Sequence, residues 1–224
     1  MAGLWKPATM LAALVAVAMA GWLYLTDWRP AAARFPLQGV DLPLAPGSAE
    51  WGTVRAAGAD FVYLTATAGS RRREPSFEAN WTALPDAGLR RGAVHLYSLC
   101  EKATDQANAF NTFVPRSEDA LPAAVDISYR EDCAERPTRP ALVAELRRFA
   151  AMVETHTGKP ILLRIGSEVE GDYQLSAAVA RPLWVMGNII QPRYASRPWR
   201  MWRASDLRRV DGIEGPVNWD VVAS

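Results

Sequence analysis

A candidate functional site is expected at the segment Ala123-Ala124-Val125-Asp126-Ile127-Ser128-Tyr129, around which the rest of the chain is organised. Its apolar residues predict a short buried strand with an acidic residue near its C-terminal end. In a barrel of parallel strands, functional side chains lie at the C-terminal ends of the strands. Asp126 is therefore a candidate catalytic carboxylate. Because alternate residues of a strand point to the same face, Ser128 is expected beside it.

Strands and helices alternate on both sides of this segment. Apolar periodicity predicts eight strands, at residues 39–42, 61–64, 92–97, 123–127, 160–163, 183–186, 200–203 and 217–219. Helices are expected at residues 49–57, 76–88, 104–114 and 138–158, and they fade after the fifth strand. Such alternation implies right-handed crossovers and a parallel sheet. Eight strands then predict a closed α/β barrel whose last three strands lack full helices.

The N-terminal segment, residues 1–26, is apolar. No charged residue occurs from Pro7 to Thr26, and about 20 such residues span a bilayer as a helix. Trp22 and Tyr24 lie near one end, as in the aromatic belts of membrane proteins. The segment is therefore predicted to be one hydrophobic helix that targets the chain for export.

Two fates of this helix remain open. Ala18-Met19-Ala20 is an acceptable cleavage site for a signal peptide. An uncleaved signal anchor is favoured because the apolar run continues through Leu25. Residues 27–36, which contain three alanines and two prolines, are predicted to be a short linker that precedes a barrel domain at residues 37–224.

Composition excludes some partners and leaves the two cysteines to be explained. Half of the 224 residues are hydrophobic and the net charge is +1, which gives no reason to expect nucleic acid. In an exported domain, Cys100 and Cys133 could form a disulfide, and this is favoured over two buried thiols. The cysteines and the two histidines, His95 and His156, lack the close spacing of a zinc site. Neither a metal nor a cofactor is expected.

Acidic and aromatic residues are predicted to meet at the mouth of the barrel. Asp41, Asp126 and Asp220 lie at or near strand ends. Three ring-bearing side chains are expected at comparable depth: His95, Tyr97 and Trp202. Rings that stack on a sugar and acids that move protons are typical of a glycosidase. The competing interpretation is that each aspartate caps the next helix and that the aromatic residues belong to the core.

Eight stretches, in their order and spacing, resemble glycoside hydrolase family 25, the Chalaropsis-type lysozymes. These stretches are 39–41, 57–64, 80–81, 88–95, 121–126, 159–162, 182–185 and 210–217. The resemblance runs from about Pro36 to the C-terminus. It implies a (β/α)5(β)3 barrel that cleaves the β-1,4 bond between N-acetylmuramic acid and N-acetylglucosamine in peptidoglycan.

Carried over residue by residue, the family's site is incomplete. Asp41 matches the acid on the first strand, and Asp126 matches the first acid of an Asp-x-Glu pair that helps the substrate's N-acetyl group act as nucleophile. The Glu of that pair, the proton donor, falls on Ser128. A serine hydroxyl cannot replace a carboxylic acid, and general acid catalysis is typically worth ~10²–10⁴-fold. The resemblance thus implies a degenerate catalytic site.

Further departures from the family surround this position. Thr65 and Ala68 stand where the family carries charges, Pro43-Leu44 replaces a Ser-His pair, and the last strand has Asn218 and Asp220 exchanged. Five residues remain candidate substrate contacts: His95, Tyr97, Asn188, Trp202 and Asp220. Glu131, in the loop after Ser128, is a possible substitute acid.

These observations predict a peptidoglycan-directed domain in the bacterial cell envelope. The favoured hypothesis is a catalytically impaired muramidase relative that binds glycan or organises envelope proteins. It would be anchored in the inner membrane and face the periplasm, or be secreted if the N-terminal segment is cleaved. The alternative is an active muramidase with a displaced acid such as Glu131. A third possibility is an interaction domain that no longer binds glycan. The sequence indicates no particular protein partner.

Overall fold

The structure is a computed structural model that describes residues 5–43, 49–131 and 133–223. Residues 1–4, Leu44 and Asp132 of the segments discussed above lie outside this set. The helices are α1 (Trp5–Asp27), α2 (Trp51–Ala56), α3 (Phe77–Asp86), α4 (Ala103–Phe113), α5 (Arg139–Thr157), α6 (Ser167–Tyr173) and α7 (Leu175–Ala178). The strands are β1 (Gln38–Leu42), β2 (Phe61–Ala68), β3 (Arg72–Arg73), β4 (Arg90–Leu96), β5 (Ala124–Ile127), β6 (Leu162–Ile165), β7 (Leu183–Met186), β8 (Met201–Arg209) and β9 (Pro216–Val222).

Eight of these strands form a closed barrel. Their order is β1-β9-β8-β7-β6-β5-β4-β2, and β2 closes the ring by pairing with β1, while the two-residue β3 pairs with β2 alone. Helices follow β1, β2, β4, β5 and β6. The predicted (β/α)5(β)3 barrel, preceded by one apolar helix, is therefore confirmed.

One strand runs against the others. β9 is antiparallel to both β8 and β1, whereas the other neighbouring strands of the barrel are parallel, as the alternation of strands and helices predicts. The physical reason is the short connection at residues 210–215, since a parallel crossover needs a dozen residues or more. The reversal brings Asn218 opposite Asp41 and places Asp220 opposite Gly39, deeper in the barrel.

Helical structure continues further than the sequence predicts. α6 and α7 follow β6 and bury Val169, Tyr173 and Leu175 against the barrel. α5 conforms to its predicted stripe: its buried side chains are Leu142, Val143, Leu146, Phe149, Ala150 and Val153. The helix ends at Gly158, whose φ of 73° is left-handed and is tolerated because glycine has no Cβ.

The core has an inner and an outer layer. Inside the barrel, Tyr63 and Trp184 pack with ring centroids 4.9 Å apart. Gly92 makes room for them, since a Cβ at this position would lie 2.3 Å from the Tyr63 ring. The outer layer lies between strands and helices and includes Val62, Val125 and Leu163 among its buried residues. Apolar packing thus fills much of the barrel interior, which also contains buried polar side chains.

The N-terminal helix projects from the barrel. Within α1, Thr9–Asp27 is long and apolar enough to cross a membrane, a test that a signal sequence also passes. From Thr9 to Tyr24 its residues are exposed, whereas Thr26 is buried. Among the described side chains of α1, the contact with the barrel therefore lies at the C-terminal end.

The predicted linker lies against the barrel. Gln38 Nε2 donates to the carbonyl oxygens of Pro30 (3.0 Å) and Phe35 (2.9 Å), and Trp219 Nε1 donates to Gln38 Oε1 (2.7 Å). The Arg29 guanidinium lies 5.8 Å from the Trp219 ring centroid. Apolar and hydrogen-bonding contacts along its length thus hold this segment in a defined path.

Candidate active site

Strands β1 and β5 bring the two predicted catalytic carboxylates to the inside of the barrel. Asp41 and Asp126 each lie one residue before the end of their strand, and both are buried. Their position near the C-terminal ends of parallel strands is where barrel enzymes place their chemistry. The structure therefore brings together the two acids that the sequence singled out.

A third residue, Arg164 of β6, joins the two carboxylates. Its Nε donates to Asp126 Oδ2 at 2.6 Å and its Nη1 to Asp41 Oδ1 at 2.9 Å. The β5–β6 register sets Arg164 directly beside Asp126, and the guanidinium lies 4.8 Å from the Trp184 ring centroid. One buried cation thus bridges both acids.

Asp41 has further partners that occupy both of its oxygens. Arg203 of β8 donates from Nε to Oδ2 (3.1 Å) and from Nη2 to Oδ1 (3.0 Å) and Oδ2 (2.8 Å). Asn218 Nδ2 also donates to Oδ1, at 3.0 Å. The Arg203 side chain is 17% exposed, so it connects the buried cluster to the mouth.

The charge state of the two acids follows from these contacts. Burial alone would raise the pKa of Asp41, but Arg203 and Arg164 outweigh it and hold the pKa below its ordinary value. Burial likewise opposes ionisation of Asp126, and Arg164 again lowers the pKa below its ordinary value. Both groups are therefore carboxylates at neutral pH, and neither can donate a proton there.

Asp220 differs from these two acids. Burial raises its pKa well above the ordinary value, and the adjacent Asp41 carboxylate raises it further. Its Oδ1 accepts a hydrogen bond from Trp184 Nε1 at 2.8 Å, and the residue has no exposed surface. The raised pKa favours the protonated form of Asp220, but the residue lies deep in the barrel, and a general acid must come within hydrogen-bond reach of the bond it cleaves.

The position of the family's proton donor is occupied by a half-buried hydroxyl. Ser128 lies just beyond β5, close enough to Asp126 that its hydroxyl helps lower the pKa of that carboxyl. Within the part of the chain that the structure describes, Asp126 Oδ1 is buried without a close hydrogen-bond partner in good geometry.

Glu131, the possible substitute acid, is exposed in the turn from Arg130 to Cys133. Among the described residues, no hydrogen bond or ion pair joins it to Asp41 or Asp126. Its neighbour Asp132 is not described.

A disulfide holds this turn. Cys100 and Cys133 are bonded, with Cα atoms 5.8 Å apart, and they connect the loop after β4 to the loop after β5. Of the two alternatives that the sequence left open, the structure has the bridge. The loop that follows Ser128 is therefore tied to the neighbouring loop at the barrel mouth.

Replacing both cysteines by serine is expected to lower the free energy of unfolding by about 3–4 kcal/mol. The chain-entropy relation gives this magnitude for a bridge that spans 33 residues. Urea unfolding of the double variant and of the parent chain, both without reductant, measures it. Reduced parent chain is the matched control and is expected to unfold with the double variant. A difference below about 1 kcal/mol from the oxidised parent would contradict the expectation.

Three of the predicted substrate contacts do not face the barrel mouth. His95 points outward because its neighbours on β4, Val94 and Leu96, point inward. Its ring is fully buried, contacts Thr67 Oγ1 (2.8 Å) and Gln106 Oε1 (3.1 Å), and burial lowers its pKa to about 4. His95 is therefore a hydrogen-bonded core residue.

Tyr97 and Trp202 also belong to the outer layer. Tyr97 is buried edge-on against Phe149, with centroids 5.7 Å apart. Trp202 is buried, packs against Phe35 and donates from Nε1 to the Gly187 carbonyl oxygen at 2.7 Å. Alternation along β8 turns Trp202 outward and Arg203 inward. Assigning these rings to sugar stacking was wrong for this reason.

Asn188 lies at the rim, in the loop after β7. Its side chain exchanges hydrogen bonds with Asp206, from Nδ2 to Oδ1 (2.7 Å) and from the Asp206 N–H to its own Oδ1 (3.1 Å). It borders an open concavity of about 790 Å³. Asn188 and Asp220 are thus separated, one at the rim and one deep in the barrel.

Sequence reasoning missed the two arginines. A signal was present in Leu162-Leu163-Arg164-Ile165, where a cation interrupts an apolar strand next to the strand that carries Asp126. A charge in a buried strand requires a partner, and the acids on β1 and β5 supply it. Among residues 5–43, 49–131 and 133–223, no group of three His, Cys, Asp or Glu side chains could hold a metal ion.

Sequence comparisons place this chain among known proteins. The profile of Glycosyl hydrolases family 25 matches residues 40–213. Uncharacterized protein YegX of Escherichia coli K12 is 31% identical over 167 residues, which are 72% of this chain and 58% of YegX. Lysozyme M1 of Streptomyces globisporus is 28% identical over 196 residues, which are 81% of this chain and 66% of that lysozyme. The chain thus spans less than two thirds of these relatives.

Solved structures match over most of the chain. A family 25 glycosyl hydrolase from Bacillus anthracis superimposes with a TM-score of 0.77 and 28% identity, covering 84% of this chain and 89% of that one. The bacterial lysozyme from Streptomyces coelicolor gives a TM-score of 0.75 and 26% identity, covering 83% and 91%.

Proposed function

The chain belongs to Glycosyl hydrolases family 25, and from that premise we propose that it binds peptidoglycan glycan without hydrolysing it. Lysozymes are among its relatives and its structural neighbours. In this proposal the barrel keeps the glycan-directed mouth of the family while its proton-transfer chemistry is lost. The domain then serves in the cell envelope to hold glycan or to position other envelope proteins on it.

The observation that carries the proposal is the bridge that Arg164 makes between Asp41 and Asp126. The role that the family resemblance gives Asp126 needs a carboxylate free to assist the substrate's N-acetyl group. Here its Oδ2 is bound to a guanidinium at 2.6 Å. Both acids are held ionised, so neither can take over the proton-donor role that Ser128 leaves empty.

Polar groups at the mouth support glycan binding. The partly exposed Arg203 can donate hydrogen bonds to sugar hydroxyl and amide oxygens. We assign α1 the role of a membrane anchor, supported by its length, its apolar sequence and its exposed surface. In this arrangement the barrel lies outside the membrane, next to the cell wall.

Isolated peptidoglycan incubated with the full chain is expected to retain protein in the pellet and to release no fragments. Mass spectrometry of the supernatant measures new muramic-acid reducing ends, with an active family 25 lysozyme as the positive control. Hydrolysis is expected to be at least about 10²-fold slower than for that enzyme, because general acid catalysis is absent. Release of fragments at a rate within tenfold of the control would contradict the proposal.

One observation favours the alternative of an active enzyme with a displaced acid. Glu131 is exposed on a turn that the disulfide holds beside Ser128. If Glu131 donates the proton, Glu131→Gln and Asp126→Asn each abolish cleavage, while Glu135→Gln on the same loop does not. If protein is found neither in the pellet nor with fragments, although the barrel is folded, the chain is an interaction domain that no longer binds glycan.

A further inference from the structure

The end of α1 is fixed to the barrel. The Asp27 carbonyl oxygen accepts a hydrogen bond from Arg208 Nη1, and the Asp27 carboxylate lies 3.6 Å from the same guanidinium. Thr26 is buried, and the Arg29 side chain donates to the Ala57 carbonyl oxygen at 3.3 Å. Helix and barrel are thus joined without a flexible spacer. A membrane that α1 enters therefore has a defined position relative to the barrel surface.

An exposed apolar tip lies in the loop after β7. Ile190 is 79% exposed and Ile189 is 43% exposed. Among the described residues, the other large hydrophobic side chains with comparable exposure are Leu37 and those of α1. Ile189 has a φ of 64°, a left-handed conformation that is a genuine outlier for a β-branched residue. Strained backbone of this kind persists only where the surrounding structure holds it.

The surrounding contacts fix this loop close to the end of α1. The backbone N–H of Ile189 donates to the Ala204 carbonyl oxygen at 2.8 Å, so the loop lies along β8. Arg208, which binds Asp27, is four residues further along the same strand, a distance of about 13 Å. Arg34 Nη2 donates to Gln191 Oε1 at 3.1 Å, which ties the loop to the segment after α1.

Positive charge accompanies the apolar tip. Arg34 and the exposed Arg193 border the same concavity as Ile190. Apolar side chains next to arginines are typical of surfaces that lie in the interface of an anionic membrane, where the chain's apolar groups enter the acyl boundary. Trp22 and Tyr24, exposed near the end of α1, are suited to the same interface.

We infer that the loop at residues 187–193 rests on the surface of the membrane that α1 enters, with Ile190 in the headgroup–acyl boundary and Arg193 against anionic headgroups. The inference rests on the proposed anchoring by α1. The barrel is then held to the bilayer at two points, which sets its orientation. The partner of this surface is an anionic lipid bilayer.

Fluorescence quenching by lipids tests this contact in the full chain. Ile190→Cys is labelled with bimane, while the native disulfide leaves Cys100 and Cys133 unreactive. The chain is reconstituted in nanodiscs of phosphatidylcholine and phosphatidylglycerol with brominated acyl chains. The bimane emission at residue 190 is expected to shift to shorter wavelength and to lose most of its intensity. Glu78→Cys, exposed on α3 across the barrel from β8, is the matched control and is expected to stay bright.

Charge variants test the role of the arginine. Arg193→Glu in the labelled chain is expected to reduce the quenching at residue 190. Arg116→Glu, exposed beyond the end of α4, is expected to leave it unchanged. Equal quenching in nanodiscs of phosphatidylcholine alone would overturn the part assigned to anionic headgroups.

Three outcomes overturn the inference, and they differ in what else they affect. If the chain enters nanodiscs but the probe is not quenched, the loop does not contact the membrane, and the proposed anchoring by α1 still holds. If the chain fails to enter nanodiscs, both the loop contact and the anchoring are contradicted, while glycan binding in the pellet assay is unaffected. A probe that responds to soluble peptidoglycan fragments, and not to lipid, assigns the loop to the glycan site instead.

Discussion

Ser128→Glu is expected to produce peptidoglycan hydrolysis, whereas the proposed function predicts none for the parent chain. The exchange restores a carboxyl group two residues after Asp126, on the same face of the strand end. General acid catalysis is worth ~10²–10⁴-fold, which sets the size of the gain. Adding Arg164→Gln is expected to increase hydrolysis further. Removal of a nearby guanidinium raises the pKa of the new carboxyl toward neutrality and frees Asp126 Oδ2.

Release of muropeptides from isolated peptidoglycan measures this gain. Ser128→Gln is the matched control, since it has similar bulk and hydrogen-bonding capacity but no acidic proton. If Ser128→Gln is as active as Ser128→Glu, the size of the side chain at position 128, and not its acidic proton, limits hydrolysis. If Ser128→Glu, with or without Arg164→Gln, binds glycan but does not hydrolyse it, the missing carboxyl group at position 128 does not explain the lack of activity.

Arg164→Leu is expected to lower the free energy of unfolding at neutral pH by about 3–5 kcal/mol. Removing one partner of a buried ion pair leaves an uncompensated charge, and losses of this size are typical. Asp41 keeps Arg203 and Asn218, so most of the loss falls on Asp126. Arg148→Leu on the exposed face of α5 is the matched control. Its side chain is 58% exposed, and the change is expected to stay within about 0.5 kcal/mol.

The pH dependence of this difference identifies the mechanism. In the parent chain, the pKa of Asp126 is lowered on folding, so its contribution is present above the ordinary value of 3.8 and is lost as the pH falls. Without Arg164, burial raises the pKa of the carboxyl, and the variant loses stability as the pH rises. The difference between the two proteins is therefore expected to grow from acidic to neutral pH.

Urea unfolding at several pH values measures this trend. His95, whose pKa burial lowers to about 4, destabilises both proteins as the pH falls, so the trend is measured as the difference between the two proteins. A destabilisation that does not change with pH would mean that Arg164 acts by packing on Trp184, from whose ring centroid it lies 4.8 Å, and not by its charge.

The barrel could be predicted from the sequence because its elements carry local signals. The stripe of α5 and the apolar strands β4 to β7 follow periodicities that report burial directly. The direction of β9 carries no such signal, because a strand shows the same pattern of apolar residues whether it pairs in a parallel or an antiparallel way. It depended on the length of the connection before Pro216, which the sequence analysis did not weigh.

The site was predicted only in part, for a related reason. Asp41 and Asp126 could be found one strand at a time. Their ion pairs with Arg164 and Arg203 join residues 38 to 162 positions apart, and they depend on how neighbouring strands are registered. His95 and Trp202 were misplaced because a shift of one residue along a strand exchanges the two faces of the sheet. Which side chains of a strand point into the barrel and which point outward could be assigned only from the closed barrel.

The attachment of residues 26–38 to the barrel limits how far the domain reaches. A compact domain of the size of residues 37–224 measures roughly 40 Å across. With α1 in a membrane and no free spacer after it, the barrel mouth cannot travel further from the bilayer than this. The anchored protein would meet only the innermost glycan of the wall, and a longer reach would require release of the contacts that Asp27 and Arg29 make with the barrel.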